Sequence, residues 1–481
     1  MKIVSLLFCF ALLLPAAIAE DERPNVVIIL CDDLGFGDIA LHGHPHIQTP
    51  HLTALAKSGI RFTDFYSTAP VCSPSRVGLL TGRSPNRAGV YDWIPEARAP
   101  RPDAREQVHM KKDETTIAHL LQQAGYATCM AGKWHCNSAF NSDQQPQPGD
   151  AGFHHWLATQ NNAAPSHENP TNYVRNGKPV GRIEGYSCQI AADEVITWLQ
   201  QHRRRAQAEP FFIYLPFHEP HEPVASPPEL VTKYQDVAEN EDQAQYFANV
   251  HNVDLAVGKV VAALERLNVR DNTLIVFTSD NGPETLNRYR SANRSYGSPG
   301  PLRGMKLHTH DAGFHVVGIA SWPAAVKAGQ VISTPVSALD LLPTVCDLAN
   351  IDVPDDLNPD GISLSGLLKD GSTPERGKPL VWAYYNAINE ARVAMRHGPW
   401  KVLARLDGGQ LQKMQNLTPA LKRKVEQAQL TDFEIYNVET DLGEQNDLAG
   451  TDLADKRKLT NLLSTTYHEL LQDSPTWTPV K

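Results

Sequence analysis

The chain has 481 residues, 41% of them hydrophobic, and a formal net charge of −10 at pH 7. That length can bury a large core, while the acidic balance disfavours nucleic acid and anionic membranes, so an anionic ligand needs a local basic cluster. The seven cysteines are too sparse for a disulfide scaffold, and none has the spacing of a zinc site.

In chain order, the first signal is MKIVSLLFCFALLLPAAIAE, with Lys2, an apolar run broken by Pro15, and Ala17-Ile18-Ala19 as a small-residue cleavage site. It reads as a secretory signal peptide over residues 1–19, too short for an anchor. The expectation is an exported protein with no membrane anchor, periplasmic or extracellular. Four apolar, β-branched runs then end at polar residues: NVVIIL before Cys31-Asp32-Asp33, YATCMAG before Lys133-Trp134-His135, FFIYLPF before HEPHEP, and TLIVFTS before Asp280-Asn281-Gly282. Such runs suit strands covered on both faces. Helical patterns alternate with them. DETTIAHLLQQAG places acids in its first turn and Ile117, Leu120, Leu121 and Ala124 on one stripe, and Val250, Val253, Val257, Val260, Val261 and Leu264 mark another amphipathic helix.

The predicted fold is α/β, with a large mixed, mostly parallel sheet sandwiched by helices. In such sheets, sites gather beyond the carboxyl ends of strands. After about residue 375, PLVWAYYN, ARVAMRHGPWKVLARL and FEIYNVETD read as short strands separated by turns. They predict a smaller C-terminal antiparallel-sheet subdomain over 376–481, closed by a helix around Lys456–Leu471, after a catalytic domain over 20–375.

APVCSPSRVGLLTGR places Cys72 just ahead of a helical stretch. A helix N-terminus favours a thiolate or a bound anion, although an isolated cysteine is most often a buried structural one. Asp32, Asp33, Asp280 and Asn281 offer oxygen ligands only, which suits Ca²⁺ or Mg²⁺ rather than zinc.

With these clusters in hand, the chain resembles a type I, formylglycine-dependent sulfatase of the alkaline phosphatase superfamily. The likeness rests on NVVIILCDDLGFGD, CSPSRVGLLTGR, GKWH, HEP, SDNG and LRGMK in family order, with GPWKVL and FEIYNVETDLGEQNDLA near the C-terminus. Any one is weak; the ordered set is specific. The resemblance implies that a formylglycine-generating enzyme converts Cys72 to an aldehyde. It also implies that Asp32, Asp33, Asp280, Asn281 and the modified Cys72 hold Ca²⁺, with Mg²⁺ as the alternative. Arg76 then steadies the formylglycine, while Lys133, His135, His221 and Lys306 surround the sulfate and the leaving oxygen. A hydrated aldehyde carries two hydroxyls on one carbon, so one can attack sulfur and the other can release sulfate, which a serine or thiol lacks. Cations offset the charge that develops on the ester oxygen.

The implied activity is sulfate monoester hydrolysis on a sulfated oligo- or polysaccharide, either a galactan such as carrageenan or a glycosaminoglycan. The nearest family pattern is that of enzymes for galactose and N-acetylgalactosamine sulfates, and a eukaryotic host would make the protein lysosomal. The rival readings are a phosphonate monoester or phosphodiester hydrolase of the same superfamily, and a non-catalytic binder of sulfated glycan. His218 of HEPHEP, His44 of LHGHPHIQTPH, Arg303 of LRGMK and His310 are expected to face substrate. One stretch departs from the family pattern: where relatives show a Trp-Glu-Gly-Gly-like turn, this chain has His310-Asp311-Ala312-Gly313, then Phe314-His315. With His308 beside them, these histidines predict a pocket that reads a polar, sugar-like leaving group.

Overall fold

Eight consecutive buried residues, Asn25–Asp32, form strand β1 in the middle of the large sheet. Side chains alternate across a strand, so Val26, Ile28 and Leu30 enter one core while Val27, Ile29 and Cys31 enter another. A strand buried on both faces needs the continuous apolar run seen in the sequence. The computed structural model describes residues 23–97, 105–205, 209–286, 288 and 292–478; the segment read as a signal peptide lies outside them.

The remaining strands of this sheet are β2 (Ile60–Tyr66), β3 (Ala127–Lys133), β4 (His155–Thr159), β5 (Val174–Arg175), β6 (Lys178–Pro179), β7 (Phe211–Pro220), β8 (Thr273–Ser279), β9 (His315–Ser321), β10 (Gln330–Ile332) and β11 (Val336–Ser337). They run in the order β10-β2-β9-β8-β1-β7-β3-β4-β5-β6, with β11 also paired to β2. The central strands β8, β1, β7, β3 and β4 are mutually parallel. β9 runs antiparallel to β8 and β2, and β5 to β4.

Helices cover both faces. On one, α2 (Cys72–Thr81) and α3 (Ile117–Gln123) contribute Val77, Leu80, Ile117 and Leu121. On the other, α1 (Pro50–Lys57), α4 (Ser187–Arg205), α5 (Pro228–Thr232) and α6 (Glu241–Arg266) supply residues such as Leu52, Val195, Leu230 and Val257. α7 (Leu341–Leu348) and α8 (Ser365–Asp370) join the first face through Leu342 and Leu367. α3 begins later than its pattern suggests. Thr116 caps it by accepting from the His119 N–H at 3.1 Å, so Asp113 and Glu114 precede the helix rather than sit in its first turn.

The C-terminal part is the expected antiparallel sheet of β12 (Leu380–Ala383), β13 (Val393–His397), β14 (Trp400–Leu406) and β15 (Leu430–Asn437), in sequential order. α9 (Pro419–Gln427) and α10 (Lys456–Asp473) lie beside it. On one face Met395, Val402 and Ile435 meet Leu459, Leu463, Tyr467 and Leu470 of α10, spaced as one helical stripe. The other face sets Trp382 against Phe314 of the main body, their rings stacked at 4.0 Å. Among the described residues, no helix is long and apolar enough to cross a membrane.

Candidate active site

Parallel strands bring their carboxyl ends to one edge, and that edge collects the charges. β1 ends in Asp32 and continues into Asp33, β3 ends in Lys133 with His135 beyond, His221 follows β7, and Asp280 and Asn281 follow β8. Two glycines permit the close turns. A Cβ at Gly132, where φ is +130°, would stand 1.8 Å from the Pro216 carbonyl oxygen, and one at Gly282 would stand 1.6 Å from that of Ala312. Asp33, His135 and Leu307 adopt left-handed backbone at φ 62°, 53° and 66°. Such strained positions persist where the surrounding fold over-determines them, and they cluster at functional sites.

The acids and cations interlock. Lys133 Nζ lies 2.5 Å from Asp32 Oδ2, and Lys306 Nζ 2.7 Å from Asp33 Oδ2. Arg76, wholly buried, meets Asp280 Oδ2 through Nε at 2.9 Å and Nη2 at 2.7 Å, and donates from Nη1 to the Lys133 carbonyl at 2.9 Å. Asn281 Nδ2 donates to Asp33 Oδ1 at 2.7 Å. Burial opposes ionisation of Asp32, but Lys133, His221, Arg76 and Lys306 outweigh it and hold that carboxyl well below its usual range. Burial, and next the neighbouring Asp32, push the Asp280 carboxyl up to about 7.

Two acceptors in this cluster stay unfilled: Asp32 Oδ1 and Asn281 Oδ1 are buried with no hydrogen-bond partner among the described residues. Asp32, Asp33 and His221 can place one ligand atom each within 4.8 Å of one another. Orphaned buried oxygens beside crowded carboxylates fit a hard divalent cation. His221 was expected near the sulfate rather than the metal; its Nε2 stands 3.6 Å from Asp33 Oδ2, at the border of both.

Cys72 opens α2, with Val71 as an N-cap that offers no side-chain oxygen. It lines a cavity of about 540 Å³ with Trp93, His135, His221, Lys306 and Leu307. Burial pushes its thiol up to about 12 although Lys133 and Lys306 pull the other way, so an unmodified Cys72 is a thiol at neutral pH. The thiolate that a helix N-terminus favours does not form, because desolvation wins. His135 Nε2 lies 2.9 Å from the Ile94 carbonyl, which can only accept, so Nδ1 carries the lone pair; that atom is buried and without a hydrogen-bond partner among the described residues. Burial, with Lys133 and Arg76, holds this imidazole neutral. His221 donates from Nδ1 to the Glu222 carbonyl at 2.8 Å.

The structure brings Cys72, Arg76, Lys133, His135, His221, Lys306, Asp32, Asp33, Asp280 and Asn281 together. It places the four residues expected to face substrate elsewhere. His218 is buried, with Nε2 2.7 Å from Thr159 Oγ1, because it still belongs to β7 and points into the protein. His44 packs on Phe247 in a separate surface groove. Arg303 donates to Tyr436 Oη at 3.1 Å and to the Glu444 carbonyl at 2.9 Å, tying the small sheet down. His310 is buried 3.9 Å from Glu434 of that sheet. His315 bridges Asp311 and the Thr63 carbonyl rather than lining the pocket. Trp93, Asn161 and Asn162 line the cavity but lie in loops without a motif, so no sequence signal marked them; Glu222, the acid of the HEP motif, lines it too. A larger hollow of about 670 Å³ between α1 and α6 shares no residue with the cluster.

A doubly covered α/β sheet with acids, cations and a helix-borne cysteine at its carboxyl edge defines a hydrolase of anionic esters. The sulfatase family profile matches residues 24–351, and the chain belongs to that family. It is a sulfuric ester hydrolase. Among its relatives, human N-acetylgalactosamine-6-sulfatase is 33% identical over 373 residues, covering 74% of this chain and 67% of the relative. Human arylsulfatase A is 33% identical over 418 residues, covering 81% and 76%. Among solved structures, Ps i-CgsB in complex with k-i-k-neocarrahexaose superposes with a TM-score of 0.78 at 28% identity, covering 95% of both chains.

Proposed function

We propose that the protein removes sulfate from a sulfated carbohydrate, a galactan or a glycosaminoglycan, by way of a formylglycine made from Cys72. The observation that carries this reading is the position of Cys72: at the start of a buried helix, on the wall of a cavity shared with Lys306, His135 and His221. Its protonated thiol is a poor nucleophile. Two relatives support the carbohydrate assignment, one named for N-acetylgalactosamine 6-sulfate and one crystallised with neocarrahexaose.

The hydrated aldehyde supplies the attacking oxygen and a second hydroxyl that lets sulfate leave. Asp32, Asp33, Asp280 and Asn281 would hold Ca²⁺, or Mg²⁺ as the alternative, which would supply Lewis-acid charge to the sulfate. Lys133 and Lys306 orient the anion and offset the charge that grows on the ester oxygen. Arg76, pinned to Asp280 and the Lys133 carbonyl, holds the first turn of α2 against the acids. His135 Nδ1, an unfilled lone pair on a residue that lines the same cavity as Cys72, would accept a proton there. His221, with its Nδ1 proton held by the Glu222 carbonyl, would protonate the leaving oxygen from Nε2 when that nitrogen also carries a proton. On this reading, residues 20–375 are the catalytic unit of an exported protein, and 376–481 buttress it through β12–β15.

Mass spectrometry of the tryptic peptide Phe62–Arg76, from protein made in its own host, tests the reading. An aldehyde at position 72 is the expected result. A thiol throughout, in a host that modifies other such motifs, would remove the mechanism.

A further inference from the structure

The cavity at Cys72 has a neighbour. A second chamber of about 470 Å³ shares Trp93, Asn161 and Asn162 with it and is completed by residues that include Gln160, Arg105 and Asn172. The shared residues form the waist between the two. The loop after β4 that carries Asn161 and Asn162 is laced to the loop that carries His135: the Trp134 N–H donates to the Thr159 carbonyl at 3.0 Å, and the His135 N–H to the Gln160 carbonyl at 2.7 Å. The second chamber is therefore held in register with the catalytic one.

Its walls have unfilled capacity of one kind. The side-chain amide oxygens of Gln160, Asn161 and Asn162 are buried and have no hydrogen-bond partner among the described residues. Gln160 is itself only 5% exposed, and its Nε2 is committed to the Asn137 carbonyl at 2.6 Å and the Ile94 carbonyl at 3.3 Å, which turns an acceptor to the chamber. Buried acceptors left unpaired are costly, and hydroxyl donors satisfy them. Trp93 adds an aromatic wall, braced by the Arg105 guanidinium 4.0 Å from its ring centroid, with Asp92 3.8 Å behind that arginine. A flat apolar wall with converging acceptors suits a pyranose, which presents C–H faces and hydroxyl rims.

We propose that this second chamber binds the sugar ring next to the sulfated one, so that the substrate is an oligosaccharide of two or more rings and not a monosaccharide sulfate. The proposal rests on the carbohydrate sulfatase reading above. Protein carrying the formylglycine is assayed on 4-nitrophenyl sulfate, on sulfated galactose and N-acetylgalactosamine, and on di-, tetra- and hexasaccharides from carrageenan and chondroitin sulfate. The expected result is a kcat/KM at least about tenfold higher on oligosaccharides than on the matching monosaccharide. Asn162→Ala removes most of that gain and lowers 4-nitrophenyl sulfate hydrolysis by a smaller factor. Asn162→Asp, which keeps the acceptor and the shape, retains the gain; matching melting temperatures show that both variants fold. Equal kcat/KM on one ring and several, or an equal loss on every substrate in Asn162→Ala, overturns the chamber and leaves the sulfatase reading standing. No turnover of any sulfate ester overturns the reading and the chamber together.

Discussion

The acids and cations at the carboxyl edge of the main sheet and those under the small sheet are both buried, and only the first cluster has the makings of a site. At the carboxyl edge, Asp32, Asp33 and Asp280 face Lys133, Lys306 and Arg76, yet Asp32 Oδ1, Asn281 Oδ1 and His135 Nδ1 have no hydrogen-bond partner among the described residues. Under the small sheet, Asp311 has both oxygens engaged: Oδ1 with Lys401 Nζ at 2.9 Å, and Oδ2 with His315 Nδ1 at 2.7 Å and Tyr66 Oη at 3.3 Å. Its N–H donates to Glu444 Oε2 at 2.8 Å, and the Lys401 ammonium lies 4.3 Å from the Phe314 ring centroid. Charge and burial are common to both. What differs is where each cluster opens: His135, His221 and Lys306 of the first line a cavity, which invites an ion or a substrate, whereas Asp311 spends both its oxygens on holding the small sheet to the main one. The stretch that departs from the family pattern is thus a clamp between the two sheets.

Variants should separate the clusters by what they change. The largest effect belongs to Cys72→Ala, expected to lower kcat on sulfate esters by at least about 10³-fold with little change in melting temperature. Turnover close to wild type would place the nucleophile elsewhere. Next comes chelation. Dialysis against EDTA is expected to abolish turnover and lower the melting temperature, since a ligand at a hundred times its Kd contributes about 2.7 kcal/mol. Added Ca²⁺ should restore both, and an unchanged melting curve would argue against a cation in the acidic cluster.

The clamp should show the opposite pattern. Lys401→Met leaves Asp311 buried without its main cation, a loss of about 3–5 kcal/mol, read by chemical denaturation. The folded fraction should keep a kcat within about twofold of wild type, and a large loss of kcat would tie the clamp to catalysis. The smallest effect is a pH dependence. Burial lowers the His315 pKa, but its hydrogen bond and charge interaction with Asp311 outweigh this and raise it above 6.5. A raised pKa means the folded state binds the proton more tightly, so this stabilisation is complete below pH 6.5 and is lost as pH rises through the folded value. The melting temperature should therefore fall as pH rises above 6.5, and His315→Gln should flatten that part of the profile.

Much of the scaffold was legible. Runs such as NVVIIL and TLIVFTS announce doubly covered strands because a central parallel strand has no wet face, and they became β1 and β8. Period 3.6 in Val250–Leu264 announced α6, though not its start nine residues earlier at Glu241, where Asn240 caps it. The polar residues after each run were legible as one cluster because strand order in such sheets brings carboxyl ends together. The histidines were not. His218 and His221 are three residues apart, yet one points into the core to Thr159 and the other opens to the cavity.

The sequence by itself determined which elements form, which chemistry the chain can carry, and that oxygen ligands, cations and a helix-borne cysteine gather at one edge. The elements follow from short-range physics, namely alternation, periodicity, capping and turn residues; the gathering at one edge follows from the strand order of such sheets and from what the family resemblance implies. Only the tertiary structure decided which polar group is spent on holding the fold and which is left for a ligand. Lys306 meets Asp33 across 273 residues of chain, Arg303 is taken by Tyr436, and Asn162 reaches the waist of two chambers. A side chain's partner is set by whatever packs beside it, and in this fold that neighbour is usually a distant segment.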